Sequence, residues 1–356
     1  MRVLVAMSGG VDSSVAAALL VEQGHDVVGA TMILWADAGE EGCCSATEVD
    51  DARRVCDHLG VDHHVFNFGE DFEAAVVQPY VDAHAAGRTP NPCLACNRHL
   101  KFDRFVVRAR HLGFDAVATG HYARVVRVGP DDTAVGHYQL RRGVDAAKDQ
   151  SYVLAVLDQE KLAQVVLPLG GLVKAEVRTK AAELGLRTAT KPDSQDVCFI
   201  TTAGGRDAFL RHRLTLHPGR VVEAETGRAL GTVAALELVT VGQRRGMGTG
   251  GVGGRRYALA VDVAAGTVAV GSLADLTVDR VALGELTWVD DAVPPATAVG
   301  AQCSAHGEAH PAVFDGAGVV FDLPQRNVAP GQTVALYDGD QVLGAGVALP
   351  TPLPST

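Results

Sequence analysis

The sequence predicts an α/β fold, a doubly wound and mostly parallel sheet, followed by β structure. Three observations carry this. Short apolar runs alternate with helical stretches through the first half, and a glycine- and serine-rich loop joins the first such run to the first helix. Beyond about Gly204, long helical patterns give way to Gly, Val and Thr. Strand-helix alternation implies a parallel sheet covered on both faces, with ligands at the carboxyl ends of its strands. A chain of 356 residues exceeds one ordinary core. We therefore expect three units: 1–204, a central β-rich domain over 205–275, and a C-terminal β-barrel over 276–356.

Each element has a local reason. Arg2 to Met7 is apolar enough for a buried strand, and Asp12 to Gln23 suits a helix that Gly24 ends. Val27 to Leu34 reads as the second strand. Ser45-Ala46-Thr47-Glu48 has the form of a capping box for a helix through Leu59, stopped at Gly60. His64 to Phe68 is a third strand, Leu100 to Leu112 a helix ending at Gly113, and Ala116 to Thr119 a further strand. In the second half, Tyr257 to Val263 and Thr267 to Val270 flank Ala264-Ala265-Gly266. Val334 to Tyr337 and Gln341 to Val347 flank Asp338-Gly339-Asp340. Both pairs read as hairpins. The tail from Pro350 to Thr356 is expected to fray.

Composition narrows the function. No apolar run approaches the ~18 residues of a membrane span. The apolar start is only a few residues long and reads as a strand rather than a signal peptide. Seven cysteines without an export signal fit a reducing compartment, the cytoplasm, and point to thiol chemistry or metal binding in place of a disulfide framework. A net charge of −11 argues against a nucleic-acid partner on charge alone, so any such reading must rest on particular residues.

The sharpest local feature is Ser8-Gly9-Gly10-Val11-Asp12-Ser13-Ser14. Glycines let backbone approach a phosphate, the helix start offers unpaired N–H groups and the positive pole of its dipole, and the serines add hydroxyls. Asp12 would orient the loop or hold Mg²⁺ through water. The lysine and spacing of a Walker A loop are missing. The segment resembles the pyrophosphate-binding loop of the ATP-pyrophosphatase superfamily, whose members split ATP into AMP and pyrophosphate while adenylating a substrate oxygen.

The cysteine-bearing segments refine the resemblance. Thr89-Pro90-Asn91-Pro92-Cys93-Leu94-Ala95-Cys96-Asn97-Arg98 and Asp193-Ser194-Gln195-Asp196-Val197-Cys198-Phe199-Ile200 stand out. So do Thr119-Gly120-His121-Tyr122, Lys148-Asp149-Gln150-Ser151-Tyr152 and Val241-Gly242-Gln243-Arg244-Arg245-Gly246. Together they resemble the bacterial tRNA-specific 2-thiouridylases from the first strand to about Gly254. The resemblance implies an adenylation domain over 1–204 and ATP-dependent 2-thiolation of the wobble uridine in tRNAs for Lys, Glu and Gln. Cys198 would carry a persulfide and Cys96 would be its partner, leaving a Cys96–Cys198 disulfide to be reduced. Ala6, Met7, Ser8, Gly9, Gly10, Val11, Asp12, Ser13, Met32 and Gly120 would contact ATP and its Mg²⁺. His121, Lys148, Asp149, Gln150 and Gln332 would contact tRNA, with Asn91, Pro92 and Cys93 beside the target base, flipped from its stack. The loop around Cys96 and the segment around Cys198 would be mobile until tRNA binds. A cysteine desulfurase or a relay protein would supply sulfur to a monomeric enzyme.

Two departures matter. Many relatives have aspartate at position 93. Here Cys93, Cys96 and Cys198 make three thiols, a set able to hold a 4Fe–4S cluster with one open iron. Persulfide and cluster routes both stay open at this point. In the last domain, where relatives carry Arg-Tyr-Arg for tRNA, the strand reads Ser304-Ala305-His306-Gly307. Arg244, Arg245, Arg255 and Arg256 are the substitutes expected to grip the phosphate backbone. Cys43 and Cys44 read as loop packing, and Cys56 in a helix and Cys303 in a strand read as buried small hydrophobes. His63-His64 reads as structural and Asp50-Asp51 as a solvated face. Rival readings are another adenylating synthetase, which would not need Cys96 and Cys198, and an RNA-binding iron–sulfur or redox sensor without turnover. The 4-thiouridine enzymes are a third, disfavoured because the loop begins at Ser8 and leaves no room for their N-terminal RNA-binding domains.

Overall fold

The computed structural model describes residues 1–35, 46–129, 137–193, 197–200, 204–248 and 254–351. Cys43, Cys44, Ser45 of the expected capping box and most of the C-terminal tail lie outside these. In chain order the first half carries strands β1 (Arg2–Ala6), β2 (Asp26–Ile33), β3 (His63–Asn67) and β4 (Ala116–Ala118). The hairpin β5 (Ala123–Val128) and β6 (His137–Arg142) follows, then β7 (Val165–Val166). The first sheet is parallel in the order β3-β2-β1-β4-β7. The chain reverses its direction of travel across the sheet between β1 and β4, so the crevice over those two strand ends is where a ligand is expected.

Both faces of the sheet are covered. Successive side chains of a strand point to opposite faces. Val3 and Val5 accordingly join Val15, Leu20, Val55 and Cys56 beneath helices α1 (Val11–Glu22) and α2 (Ala46–Leu59). Leu4 and Val28 face Phe72, Val76 and Phe105 on the other side. Gly24 and Gly60 end the two helices at φ +78° and +70°, a conformation that glycine adopts without a Cβ clash.

One expectation fails here. The Cys93–Cys96 segment is helix rather than loop: α3 (Pro92–Cys96) continues through a kink at Phe102 into a helix over Phe105–His111. Asn91 caps it, its Oδ1 accepting from the Cys93 N–H at 3.0 Å, and Pro92 occupies the first turn. Proline there lacks only an N–H that would have had no helical partner.

The second half opens with a short helix, Gly205–Arg213, and then becomes β. Strands β8 (Gly219–Glu223), β9 (Ala229–Val233), β10 (Tyr257–Asp262) and β11 (Thr267–Gly271) form a four-stranded sheet around Val221, Val268 and Val270. The last unit holds β12 (Thr277–Trp288), β13 (Thr297–Gln302), β14 (Ala309–Phe314), β15 (Gly318–Arg326), β16 (Thr333–Asp338) and β17 (Gln341–Ala348). They run in the order β12-β15-β14-β13-β16-β17, and β12 pairs with β17 to close the barrel. Both expected hairpins are present. The stretch Ser304–Gly307 is a turn between β13 and β14 instead of a strand, closed by the Gly307 N–H on the Ser304 carbonyl at 3.1 Å. Cys303 therefore lies just past β13, half-buried, its thiol pushed up to about 11 by burial.

The β5–β6 hairpin of the first unit joins the barrel. Arg141 pairs with Gln341 and Leu140 with Val342, extending the barrel sheet to eight strands. Arg124 and Arg141 both reach the Asp340 carboxylate, and the Arg142 guanidinium lies 3.8 Å from the centre of the Tyr337 ring. The first and last units are thereby held in one register. Among the described residues no helix is long and apolar enough to cross a membrane.

Candidate active site

The expected ATP residues gather at one edge of the first sheet. Ala6 ends β1 and Met7 follows it, Ser8 to Ser13 turn into α1, Met32 lies near the end of β2 and Gly120 follows β4. The loop is tightly built. The Ser8 N–H donates to Ser13 Oγ at 3.2 Å, and the Ser13 and Ser14 hydroxyls donate to the Gly10 carbonyl at 3.2 and 2.7 Å. Gly9 sits at φ +71°, and a Cβ there would lie 2.4 Å from the Glu48 carbonyl oxygen. A Cβ on Gly120 would lie 2.8 Å from the backbone of Asp12 and Ser13. Only glycine permits this approach between the loop and the end of β4, at the crevice that the strand order picks out.

Around the loop lies a net of charge that sequence patterns do not disclose. Lys174 Nζ donates to both Asp12 oxygens, at 2.7 and 2.9 Å, and lies 2.8 Å from Asp193 Oδ1. Lys148 Nζ reaches Asp193 Oδ2 at 2.7 Å, and the Arg178 guanidinium reaches Oδ1 at 2.8 Å. The Tyr122 hydroxyl donates to Asp12 at 2.7 Å; burial, then this bond, raises its pKa. Burial alone would raise the Asp193 carboxyl, but hydrogen bonds from Lys148 and Lys174 outweigh it and hold it down at about 2. Lys191 Nζ donates to the Gly9 carbonyl at 3.0 Å and to Asp51 at 2.9 Å. Asp51 thus belongs to the loop surroundings, whereas Asp50 pairs with Arg54 on the outer face of α2. Tyr122 and Asp193 lie inside conspicuous motifs. Lys174 and Arg178 stand one turn apart on α4 (Lys174–Glu183), and only tertiary packing brings them to the loop.

The thiols are set differently. Cys96 is 7% exposed, within the core that also holds Leu94, Leu100 and Phe102. Cys198 is half-buried against the same core. Its neighbour Phe199 anchors it in an aromatic nest, with ring centres 5.0 Å from Phe209, 5.4 Å from Tyr80, 5.7 Å from Phe72 and 6.3 Å from Trp35. Cys93 is exposed in the first turn of α3: burial by the surrounding protein raises its pKa, and Lys101 partly offsets this. Among the described residues no three His, Cys, Asp or Glu side chains converge as a metal-binding group. Cys93, Cys96 and Cys198 are thus not gathered as cluster ligands in this arrangement, and the iron–sulfur route gains no support over the persulfide one.

A cavity of about 320 Å³ opens on the outer side of α3, between the first unit and the barrel. Asn91 and Pro92 line one wall, with Arg88, Arg98, His99 and Glu285 around the rest. Glu285 sits in the left-handed region at φ 48°, where the β12–β17 register shifts, and such shifts re-aim side chains.

The expected tRNA contacts divide into two groups. Lys148 is part-exposed on the Asp193 carboxylate. The Asp149 carboxylate, 7% exposed, instead takes Arg142, the Gly143 N–H, the Ser151 N–H and the Ser151 hydroxyl. Gln150 accepts from the Tyr122 N–H, and Gln332 hydrogen-bonds the Thr89 carbonyl, tying the barrel to the segment before α3. His121 is buried beside Thr119 and Phe102; burial, then Lys101, holds its pKa well below the usual range, so it is neutral. Arg244, Arg245 and Arg255 face solvent, whereas Arg256 is drawn into a pair with Glu223 at 2.8 Å. His63 is structural, bonded to Thr31, and Cys56 is a buried thiol pushed up to about 12 by burial.

A phosphate-type loop at the switch point of a parallel sheet, joined to a thiol-bearing helix and a closed β-barrel, defines a nucleotide-dependent enzyme with sulfur chemistry. Comparison with known proteins agrees. Residues 1–202 match the family described as the tRNA methyl transferase HUP domain, 207–272 its PRC-barrel domain, and 278–348 the aminomethyltransferase beta-barrel domain. The tRNA-specific 2-thiouridylase MnmA of Chloroflexus aurantiacus is 47% identical, over 97% of each chain. That of Thermobifida fusca is 44% identical, over 99% of this chain and 96% of its own. The chain belongs to the tRNA-specific 2-thiouridylase family, whose members are tRNA-modifying transferases. A 4-thiouridine synthetase solved with RNA and ATP is 19% identical with a TM-score of 0.36, covering 56% of this chain and 45% of its own, a likeness that carries no further argument.

Proposed function

We propose that the chain catalyses ATP-dependent 2-thiolation of the wobble uridine of tRNA. The observation that carries this is the packing of the glycine loop at the β1/β4 crevice in one unit with the Cys96 helix and the Cys198 segment. The uridine C2 oxygen is a poor leaving group. Its attack on the α-phosphorus of ATP releases pyrophosphate and leaves the oxygen bonded to AMP. The terminal sulfur of a Cys198 persulfide then attacks C2, and AMP departs with the oxygen. Cys96 attacks the Cys198 sulfur, which frees the thiocarbonyl and leaves a Cys96–Cys198 disulfide for a thiol reductant.

Residues 1–204 would hold the chemistry and 205–275 and 276–356 would present the tRNA. Asn91 and Pro92 line the cavity beside α3, which supports the arrival of an anticodon-loop nucleotide on that side. Asp149, Gln150 and Gln332 would act on tRNA through the segments they hold in place, since their side chains already have protein partners. ATP with its Mg²⁺ enters as substrate, and a cysteine desulfurase or relay would supply sulfur.

The test is direct. Purified protein, stripped of metal, is given unmodified tRNA, ATP, Mg²⁺, a persulfide donor and a thiol reductant, and the digested tRNA is analysed by mass spectrometry for 2-thiouridine. Product that requires ATP is expected. Absence of product from folded protein that binds ATP would overturn the proposal.

A further inference from the structure

The charge net beside the loop is concentrated on one carboxylate. Lys148, Lys174 and Arg178 face the carboxylates of Asp12 and Asp193, with the Asp145 carboxylate beside them on the Lys174 N–H at 2.8 Å. Asp193 alone receives all three cations, and Lys174 is shared with Asp12. The side chain of Lys174 is 12% exposed, so water does little to stabilise its charge. Its position makes matters worse. It begins α4, a helix of 10 residues, while Asp12 sits in the first turn of α1, a helix of 12. A cation at a helix start opposes the helix dipole. Three cations, one of them at a helix start, thus converge on the Asp193 carboxylate, while Asp12 shares only Lys174.

We propose that Asp193 is a resident stand-in for the triphosphate: the β,γ-phosphates of ATP bind by displacing its carboxylate from Lys148, Lys174 and Arg178, which then ligate the phosphates. This rests on the function proposed above and adds ligands for the leaving pyrophosphate. The geometry supports exchange rather than a fixed tie. A phosphate oxygen accepts the same short N–H contacts as a carboxylate oxygen, and a polyphosphate brings more charge and more acceptors. Asp193 costs ATP affinity, because the vacant form of the cation site is only part of the population. In return it keeps a partly buried lysine pair from standing uncompensated when no nucleotide is bound.

The alternative role is a permanent organiser that holds the lysines in place for ATP, and the two roles give opposite signs. The full chain is titrated calorimetrically with inorganic pyrophosphate and, separately, with ATP and Mg²⁺. Asp193→Asn, which removes the charge at nearly constant shape, is expected to tighten pyrophosphate about five- to tenfold. Asp193→Glu, which keeps the charge, is expected to give no gain. Lys174→Gln and Arg178→Gln should each weaken pyrophosphate by roughly tenfold or more through loss of a charge-assisted bond. The gain from Asp193→Asn should shrink when combined with Lys174→Gln, because the two residues share the interaction. Circular dichroism and the thermal midpoint check that each variant is folded. Unchanged or weaker pyrophosphate binding by folded Asp193→Asn overturns the inference. If the wild-type chain thiolates tRNA while that variant shows no gain, only this inference fails. If the wild-type chain binds neither ATP nor pyrophosphate, the proposed function fails with it.

Discussion

The two halves of the site are made of opposite materials. Beside the loop, almost every functional group is ionised and already paired, from Asp12 through Lys174 to Asp193 and Arg178. Around Cys96 and Cys198 the neighbours are Leu94, Phe102, Phe199 and Tyr80, and Cys93, the one exposed cysteine among the described residues, is held toward its thiol form. The contrast follows the chemistry. A polyanion needs preset counter-charge, which acts without reorganisation at the moment of reaction. A sulfur to be handed on must be kept from water and stray oxidants, which apolar packing does.

The largest break in this comparison is Cys198→Ala, which should abolish 2-thiouridine while tRNA-dependent pyrophosphate release continues; loss of both activities together would mean that the halves are not separable. Asp12→Ala should abolish pyrophosphate release and, with it, 2-thiouridine, because it removes the anion that fixes Lys174 and Tyr122. Full release by that variant would detach the loop from nucleotide chemistry. Gly120→Ala drives a Cβ to 2.8 Å from the Asp12 backbone. Overpacking of this kind costs about 1–3 kcal/mol, so ATP affinity measured by calorimetry should fall roughly tenfold with the thiols untouched.

Acid sharpens the contrast further. The Asp193 carboxyl is depressed from 3.8 to about 2 by its lysines. Its ion pairs therefore stabilise the fold fully above about pH 4, and that contribution fades as the pH falls toward 2. A thermal-midpoint series against pH should show a shallower acid decline in Asp193→Asn than in the wild type. The smallest effect is expected at the periphery. Arg244→Ala and Arg245→Ala should each reduce the salt dependence of tRNA binding by about one unit of slope without changing the reaction itself.

The same divide explains what the sequence could and could not disclose. The glycine loop was legible because backbone approach demands glycine at fixed positions. The strands were legible because burial on both faces or one leaves a period in the residues. The two hairpins were legible from Gly266 and Gly339, both at positive φ. The α3 helix was misread as loop although Asn91-Pro92 is a helix-start signal; a cysteine pair near prolines draws the eye to chemistry before geometry. Ser304–Gly307 was misread as strand because register with relatives was followed past a glycine turn. Lys174 and Arg178 left no local mark at all. An i, i+4 cation pair on a short helix is ordinary surface until tertiary packing turns it toward the loop. The joining of β6 to β17 was equally hidden, since no local period encodes a partner that is distant in the chain.

That last pairing sets a schedule for the molecule's birth. Arg141 meets Asp340 across 199 residues. At the ~5–20 residues per second of synthesis, the hairpin edge waits roughly 10–40 s for the strand that covers it. Through that interval the newborn nucleotide-binding unit presents an open row of strand N–H and C=O groups to the crowded vicinity of the ribosome. β17, the last of the described strands, is thus the one that seals the first unit, and a chain halted before it would be left with an adhesive edge in place of a smaller enzyme.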